Sequence, residues 1–205
     1  MWQNYSAYIF KINVILPSKK MLTSSIKQFN YYKILADKAM TQVEDVSLFH
    51  RLHENDNSIA IIVQHLSGNM QSRWTNIFTE DGEKSWRKRD EEFEEVIMDK
   101  KMLLDVWENG WKKLFDTLES LTVSDLSRTI YIRNEGLTVS DAIIRQLSHY
   151  SYHCGQMVYK CRQMSGDNWE SLSIPKKESD TFNENKFRIA KGEKQYLDSL
   201  NNHKK

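Results

Sequence analysis

The stretch Asp141-Ala-Ile-Ile-Arg-Gln-Leu-Ser-His-Tyr-Ser-Tyr-His-Cys-Gly-Gln-Met-Val-Tyr-Lys160 decides how this chain is read. It carries His149 and His153, four residues apart. On an α-helix that spacing sets both imidazoles on one face, one turn from each other, where they can bite a single divalent metal ion. A third histidine, His65, lies in Ser58-Ile-Ala-Ile-Ile-Val-Gln-His-Leu-Ser-Gly-Asn-Met70, which is itself helical in pattern. Three neutral imidazoles from two facing helices make a metal site with open coordination positions.

Working outward, the rest of the chain reads as helices joined by polar loops. Seven glycines, two prolines and few alternating β-branched runs argue against an all-β fold. A first helix is expected from about Leu22 to Val43, with Ile26, Phe29, Ile34 and Leu35 at helical spacing. A second starts at a cap on Asn57 or Ser58 and continues to about Phe78. The charged stretch Thr79 to Glu92, with Asp81-Gly82 as its turn, leads to a third helix. There Val106, Trp107, Trp111, Leu114, Phe115 and Leu118 repeat at three and four residues. The tetrapeptide Thr-Val-Ser-Asp occurs at Thr122 to Asp125 and again at Thr138 to Asp141, each able to form a capping box. Between them Thr129 to Ile132 suits a short strand or hairpin arm, and the fourth helix runs from about Ser140 to Met164. Four amphipathic helices of this length imply an all-α, four-helix bundle, an architecture that builds metal sites between facing helices.

Size and charge bound the function. A chain of 205 residues, 24.3 kDa and 40% hydrophobic can bury one core. A net charge of +1, from 29 basic and 28 acidic residues, supplies no overall field for nucleic acid or an anionic membrane. Cys154 and Cys161 are seven residues apart, roughly 10 Å along a helix and beyond disulfide reach, so they read as reduced, packed thiols in a cytoplasmic setting. The apolar run Ala7 to Leu16 is interrupted by Lys11 and Asn13 and fits neither a membrane span nor a signal peptide. Residues 1–20 therefore read as an extension, a strand or irregular, outside a domain covering 21–175. Residues 176–205 form a polar tail. In Trp169-Glu-Ser-Leu-Ser-Ile-Pro175 the apolar residues Trp169, Leu172 and Ile174 are expected to fold back, either capping the core or walling the metal pocket.

From about Met21 to Asn183 the chain resembles the DinB/YfiT-like superfamily of metal-binding four-helix bundles. The matching pieces are Asn57 to Asn69, Arg89-Asp-Glu-Glu-Phe93, Trp107-Glu-Asn-Gly-Trp111 and Arg145 to Gln156, and the Trp169 to Pro175 ending looks like that of an uncharacterised subgroup. The resemblance implies a divalent metal, often nickel or zinc, held by one histidine of the second helix and two of the last. By position these are His65, His149 and His153. It also implies a small-molecule substrate, a low-molecular-weight thiol as co-substrate, and pairing into homodimers. The superfamily's studied members include thiol transferases and thiol-dependent isomerases.

The other candidates have plainer readings. His50 and His53 belong to a polar segment and are expected in solvent; His203 lies in the Lys-rich tail. Cys154 and the Trp107–Trp111 pair read as packing residues. Arg87-Lys88-Arg89 reads as a solvated, locally paired loop. Gln64, Gln146, Tyr150 and Gln156 neighbour the histidines in sequence and either support the ligands or serve as ordinary helix residues; none is singled out as a general base. A +2 ion with an open position would activate water for hydrolysis or a thiol for attack on an electrophile. The competing role is non-catalytic, structural or stress-related, with the ion only pinning two helices together.

Overall fold

The structure, a computed structural model, describes residues 2–192 and residue 197, with side chains from Ser18 onward. It is mostly helical, with one small two-stranded sheet. Helix α2 (Ile59–Trp74) is its centre, and nearly all of its residues are buried. Ser58 opens it by accepting the Ile61 N–H at 3.2 Å. It ends at Trp74, ahead of the expected Phe78, because Thr75 is extended and Asn76 takes a left-handed φ of 48°.

Helix α3 (Lys100–Ser120) starts on Asp99, whose side chain accepts the Met102 N–H at 2.7 Å. It packs closely along α2. A glycine makes that approach possible: a Cβ on Gly110 would stand 2.9 Å from Ser67 Cα. Cross-helix bonds hold the seam, from Ser67 Oγ to Val106 O at 2.8 Å and from Gln71 Nε2 to Asn109 O at 2.9 Å.

Helix α1 (Trp2–Met40) packs along helix α4 (Val139–Ser165), and α4 also touches α2. The backbone of α1 is helical from Trp2, which corrects the expectation of a strand or irregular segment over residues 1–20; Lys11, Asn13 and Pro17 do not end the helix. Its buried stripe is Phe29, Ala36, Ala39 and Met40. Ile34 and Leu35, also at helical spacing, are half-buried. On α4 the buried residues Ile143, Gln146, Tyr150, Cys154, Met157 and Cys161 recur every three or four positions, as a packed helix face requires.

The core is aromatic, and its polar tips are mostly paired. Trp74, Trp107, Trp111 and Tyr150 are fully buried. Trp107 Nε1 donates to Asp37 Oδ1 (2.6 Å), Trp74 Nε1 to the Tyr150 hydroxyl (3.1 Å), and that hydroxyl to Asn69 Oδ1 (3.0 Å). Cys154 and Cys161 are free and buried, and burial raises both thiol pKa values, that of Cys161 to about 12. Neither thiol is ready to ionise.

The two Thr-Val-Ser-Asp repeats diverge. Thr138 caps α4, accepting the Asp141 N–H at 3.1 Å, whereas Thr122 opens only the single 3-10 turn Val123–Ser127. Between them strands β1 (Thr129–Ile132) and β2 (Glu135–Thr138) pair antiparallel, Ile130 facing Leu137. Arg133 (φ 57°) and Asn134 (φ 62°) form the tight turn, whose N–H groups donate to the Asp81 carboxylate at 2.8 and 2.9 Å. Gly82 N–H donates to Tyr131 O at 2.8 Å. Through these bonds the hairpin fixes the charged segment that follows α2.

Beyond α4 the chain returns to the end of α1, where Gln42 exchanges two bonds with the Glu170 backbone at 3.2 and 2.7 Å. Trp169 and Leu172 pack against the core, while Ile174 is exposed. Helix α5 (Ser179–Phe187) buries no residue, although Leu197 beyond it is 6% exposed. Among the described residues no helix is long and apolar enough to cross a membrane.

Candidate metal centre

Helices α2 and α4 bring His65, His149 and His153 together. Each offers one ring nitrogen, and the three nitrogens lie within 4.8 Å of one another. His65 Nε2 and His149 Nε2 are 3.3 Å apart. Two nitrogens bound tetrahedrally at about 2.0–2.1 Å to one zinc ion stand about 3.3–3.4 Å apart, so this pair is already spaced for a shared cation. Among the described residues no fourth histidine, cysteine or carboxylate joins the group.

The hydrogen bonds orient the rings. His65 Nδ1 lies 2.9 Å from Glu92 Oε2, and an ionised carboxylate can only accept, so the proton sits on Nδ1 and leaves the Nε2 lone pair free. His153 Nδ1 donates to Gln156 Oε1 at 2.7 Å, which likewise frees its Nε2. Gln156 is itself held, its Nε2 donating to the Tyr152 hydroxyl at 3.0 Å. Burial, reinforced by His153 and His65, pushes the His149 pKa down to about 3, and burial also lowers that of His153. Both rings are therefore neutral near pH 7, the form that binds metal.

Behind His65 stands a second layer. The Glu92 side chain is 8% exposed and that of Arg87 2%, and Arg87 grips it bidentately, Nε to Oε1 at 2.7 Å and Nη2 to Oε2 at 2.8 Å. Burial alone would raise the Glu92 pKa, but His65 and Arg87 hold it below the ordinary carboxylate value. Gly68 makes room for this carboxylate, since a Cβ there would collide with it, falling 2.7 Å from Glu92 Cδ. A carboxylate behind a histidine fixes its tautomer and strengthens it as a donor.

The histidines open onto a cavity of about 380 Å³, also lined by Phe93, Asn69, Gln146 and five arginines. Phe93 stacks on His65, ring centres 4.9 Å apart. The segment Trp169 to Pro175 contributes nothing to this wall; of its two expected roles, walling the pocket is not seen, while Trp169 and Leu172 pack against the core, and its anchor on Gln42 takes it to the end of α1.

The neighbouring glutamines and tyrosine divide in role. Gln64 Nε2 donates to the backbone oxygens of Glu91 and Glu94 (2.8 and 3.2 Å) and so holds the loop bearing Glu92. Tyr150 is a core residue, Gln156 supports His153, and Gln146 lines the cavity. His50 and His53 are exposed, and His203 lies outside the described residues. Arg87, read from sequence as part of a solvated, locally paired loop, is locally paired, with Glu92 and Glu83, but its side chain is buried rather than solvated. Sequence reasoning singled out neither Glu92 nor Gly68. The available signal was Gly68 itself, one turn beyond His65 on the same face, where a missing side chain marks close approach by another group.

A family model described as a protein of unknown function, DUF1572, matches residues 17–178. No curated protein and no solved structure matches the chain.

Proposed function

We propose that this chain, which belongs to the DUF1572 family, is a metal-dependent enzyme of the DinB/YfiT-like four-helix-bundle type, with a divalent ion, nickel or zinc, held by His65, His149 and His153. The observation that carries this reading is the convergence of three imidazoles on an open cavity, with two of them oriented by Glu92 and Gln156. A bound ion would supply a +2 charge undiminished by its neutral ligands, lowering the pKa of a water or thiol beside it.

The chain's own residues do the rest. Glu92 and Gln156 aim two Nε2 lone pairs, and the half-buried, neutral His149 provides a third donor. Phe93 shields one face of His65 from solvent. The cavity is large enough for a small molecule, which favours catalysis over a purely structural ion, for which a closed shell of four protein ligands is usual. The reaction proposed is attack by a low-molecular-weight thiol, or by water, on an electrophilic carbon. The nucleophile loses its proton, and the displaced leaving group departs with the bonding electron pair. Cys154 and Cys161 are too deeply buried to be that nucleophile.

The test incubates zinc- or nickel-loaded protein with a small thiol and an alkyl halide electrophile, following thioether formation by mass spectrometry. The account expects a rate above background that chelation removes and metal restores. A rate unchanged by chelation and by His153→Ala would refute a role for the ion in catalysis.

A further inference from the structure

The cavity beside the histidines has an unusual wall. Arg73, Arg87, Arg89, Arg133 and Arg145 line it, and no acidic side chain does. Two buried or half-buried carboxylates behind the wall answer part of this charge. Glu92 takes Arg87, and Glu83 is shared by Arg73 (2.9 Å), Arg87 (3.4 Å) and Arg133 (3.1 Å). The exposed Asp90 stands 3.6 Å from Arg89. Asp81, which accepts the Arg133 N–H and whose charge acts on Arg73, is a fourth carboxylate beside them, so five guanidinium groups set against four carboxylates leave one excess positive charge, before any metal ion is added.

Arg145 is the residue this accounting leaves over. It makes no hydrogen bond or ion pair with the described residues, yet it lines the cavity one turn before His149 on the same face of α4. Its neighbour Gln146 is 3% exposed, lines the same cavity, and carries a side-chain oxygen that is buried without a hydrogen-bond partner. The paired Arg73 and Arg87 side chains are buried, whereas Arg145 is exposed, which leaves its guanidinium open to a ligand arriving from solvent. Arg89 is only half-committed, lying over the Phe93 ring at 5.2 Å with its fork open to solvent.

We propose that this cavity receives the anionic group, a carboxylate or phosphate, of the small-molecule substrate, with Arg145 as its main donor and Arg89 and Arg133 flanking it. This rests on the reading of the histidines as a metal centre and adds the chemical class of what binds beside it. Guanidinium forks match carboxylate and phosphate oxygens bidentately. The bound anion would hold the rest of the substrate against the histidines.

The full chain, zinc-loaded and metal-free, is titrated calorimetrically at low ionic strength with inorganic phosphate, with malonate, and with neutral malonamide. The expected result is saturable binding of phosphate or malonate at one site per chain, the stronger of the two identifying the anion, with malonamide inert. Arg145→Gln should weaken binding about tenfold or more in both metal states. Lys112→Gln, the same charge change on the exposed face of α3, should stay within about twofold of the wild type. Zinc content, measured on the same samples, reports the metal reading separately, so either idea can fail alone. The proposal is overturned if neither anion binds, if malonamide binds as well as malonate, or if Arg145→Gln binds like the wild type, which would place the anion on the metal alone.

Discussion

A His149→Ala chain is expected to lose stoichiometric metal while keeping its fold. His149 is half-buried and lines the cavity beside the Tyr150 ring, their centres 5.5 Å apart, so an alanine there leaves the apolar core residues themselves in place. What it removes is one of three donors, and the one spaced 3.3 Å from His65 Nε2. Losing a supporting residue behind a metal ligand typically weakens binding by about 10–100-fold, and losing the ligand itself should exceed that. Dialysis against a metal-free buffer followed by elemental analysis reads the outcome, and circular dichroism checks that the helices persist. Retention of a full equivalent of metal by this variant would rule His149 out as a ligand.

Arg87→Met should have the largest effect on stability. The Arg87 side chain is 2% exposed and bonds both oxygens of Glu92, which is itself 8% exposed. Removing the guanidinium strands a buried carboxylate, a change that costs about 3–5 kcal/mol. The double variant Arg87→Met/Glu92→Met should recover most of that loss, because no unpaired charge remains inside. Metal affinity should separate from stability in this series: with Glu92 gone, His65 loses the acceptor for its Nδ1–H, and binding should stay about 10–100-fold weaker even when the fold is restored. Urea denaturation and competition with a zinc-binding dye measure the two quantities. If the double variant matched the wild type in affinity, Glu92 would be a structural partner of Arg87 and nothing more.

How much of this was legible in the sequence depends on distance along the chain. The pairing of His149 and His153 on one helix face and the place of His65 in an apolar helix are local patterns, but it is the resemblance to the DinB/YfiT-like superfamily that singles these three out of six histidines. Ser58 and Thr138 as helix starts follow from the same short-range chemistry. The glutamate behind His65 could not be selected this way. Glu92 is one acid in Asp90-Glu-Glu-Phe-Glu-Glu95, and what distinguishes it is the packing of that loop over Gly68, set by Gln64 and by the hairpin that anchors Asp81. Arg87 was misread for the same reason, since a charged run looks solvated until its partner is known. The N-terminal segment differs on other grounds: Lys11 and Asn13 interrupt its apolar run and argue against a membrane span or signal peptide, but they do not exclude a helix, and the helix runs from Trp2.

X-ray absorption at the metal edge of the purified, metal-loaded chain tests the central claim most directly. The account predicts one ion per chain, surrounded by three imidazole nitrogens, at about 2.0–2.1 Å if the ion is zinc, with light-atom scatterers filling the open positions. A shell containing sulfur at about 2.3 Å, or a chain that takes up no metal, would contradict it.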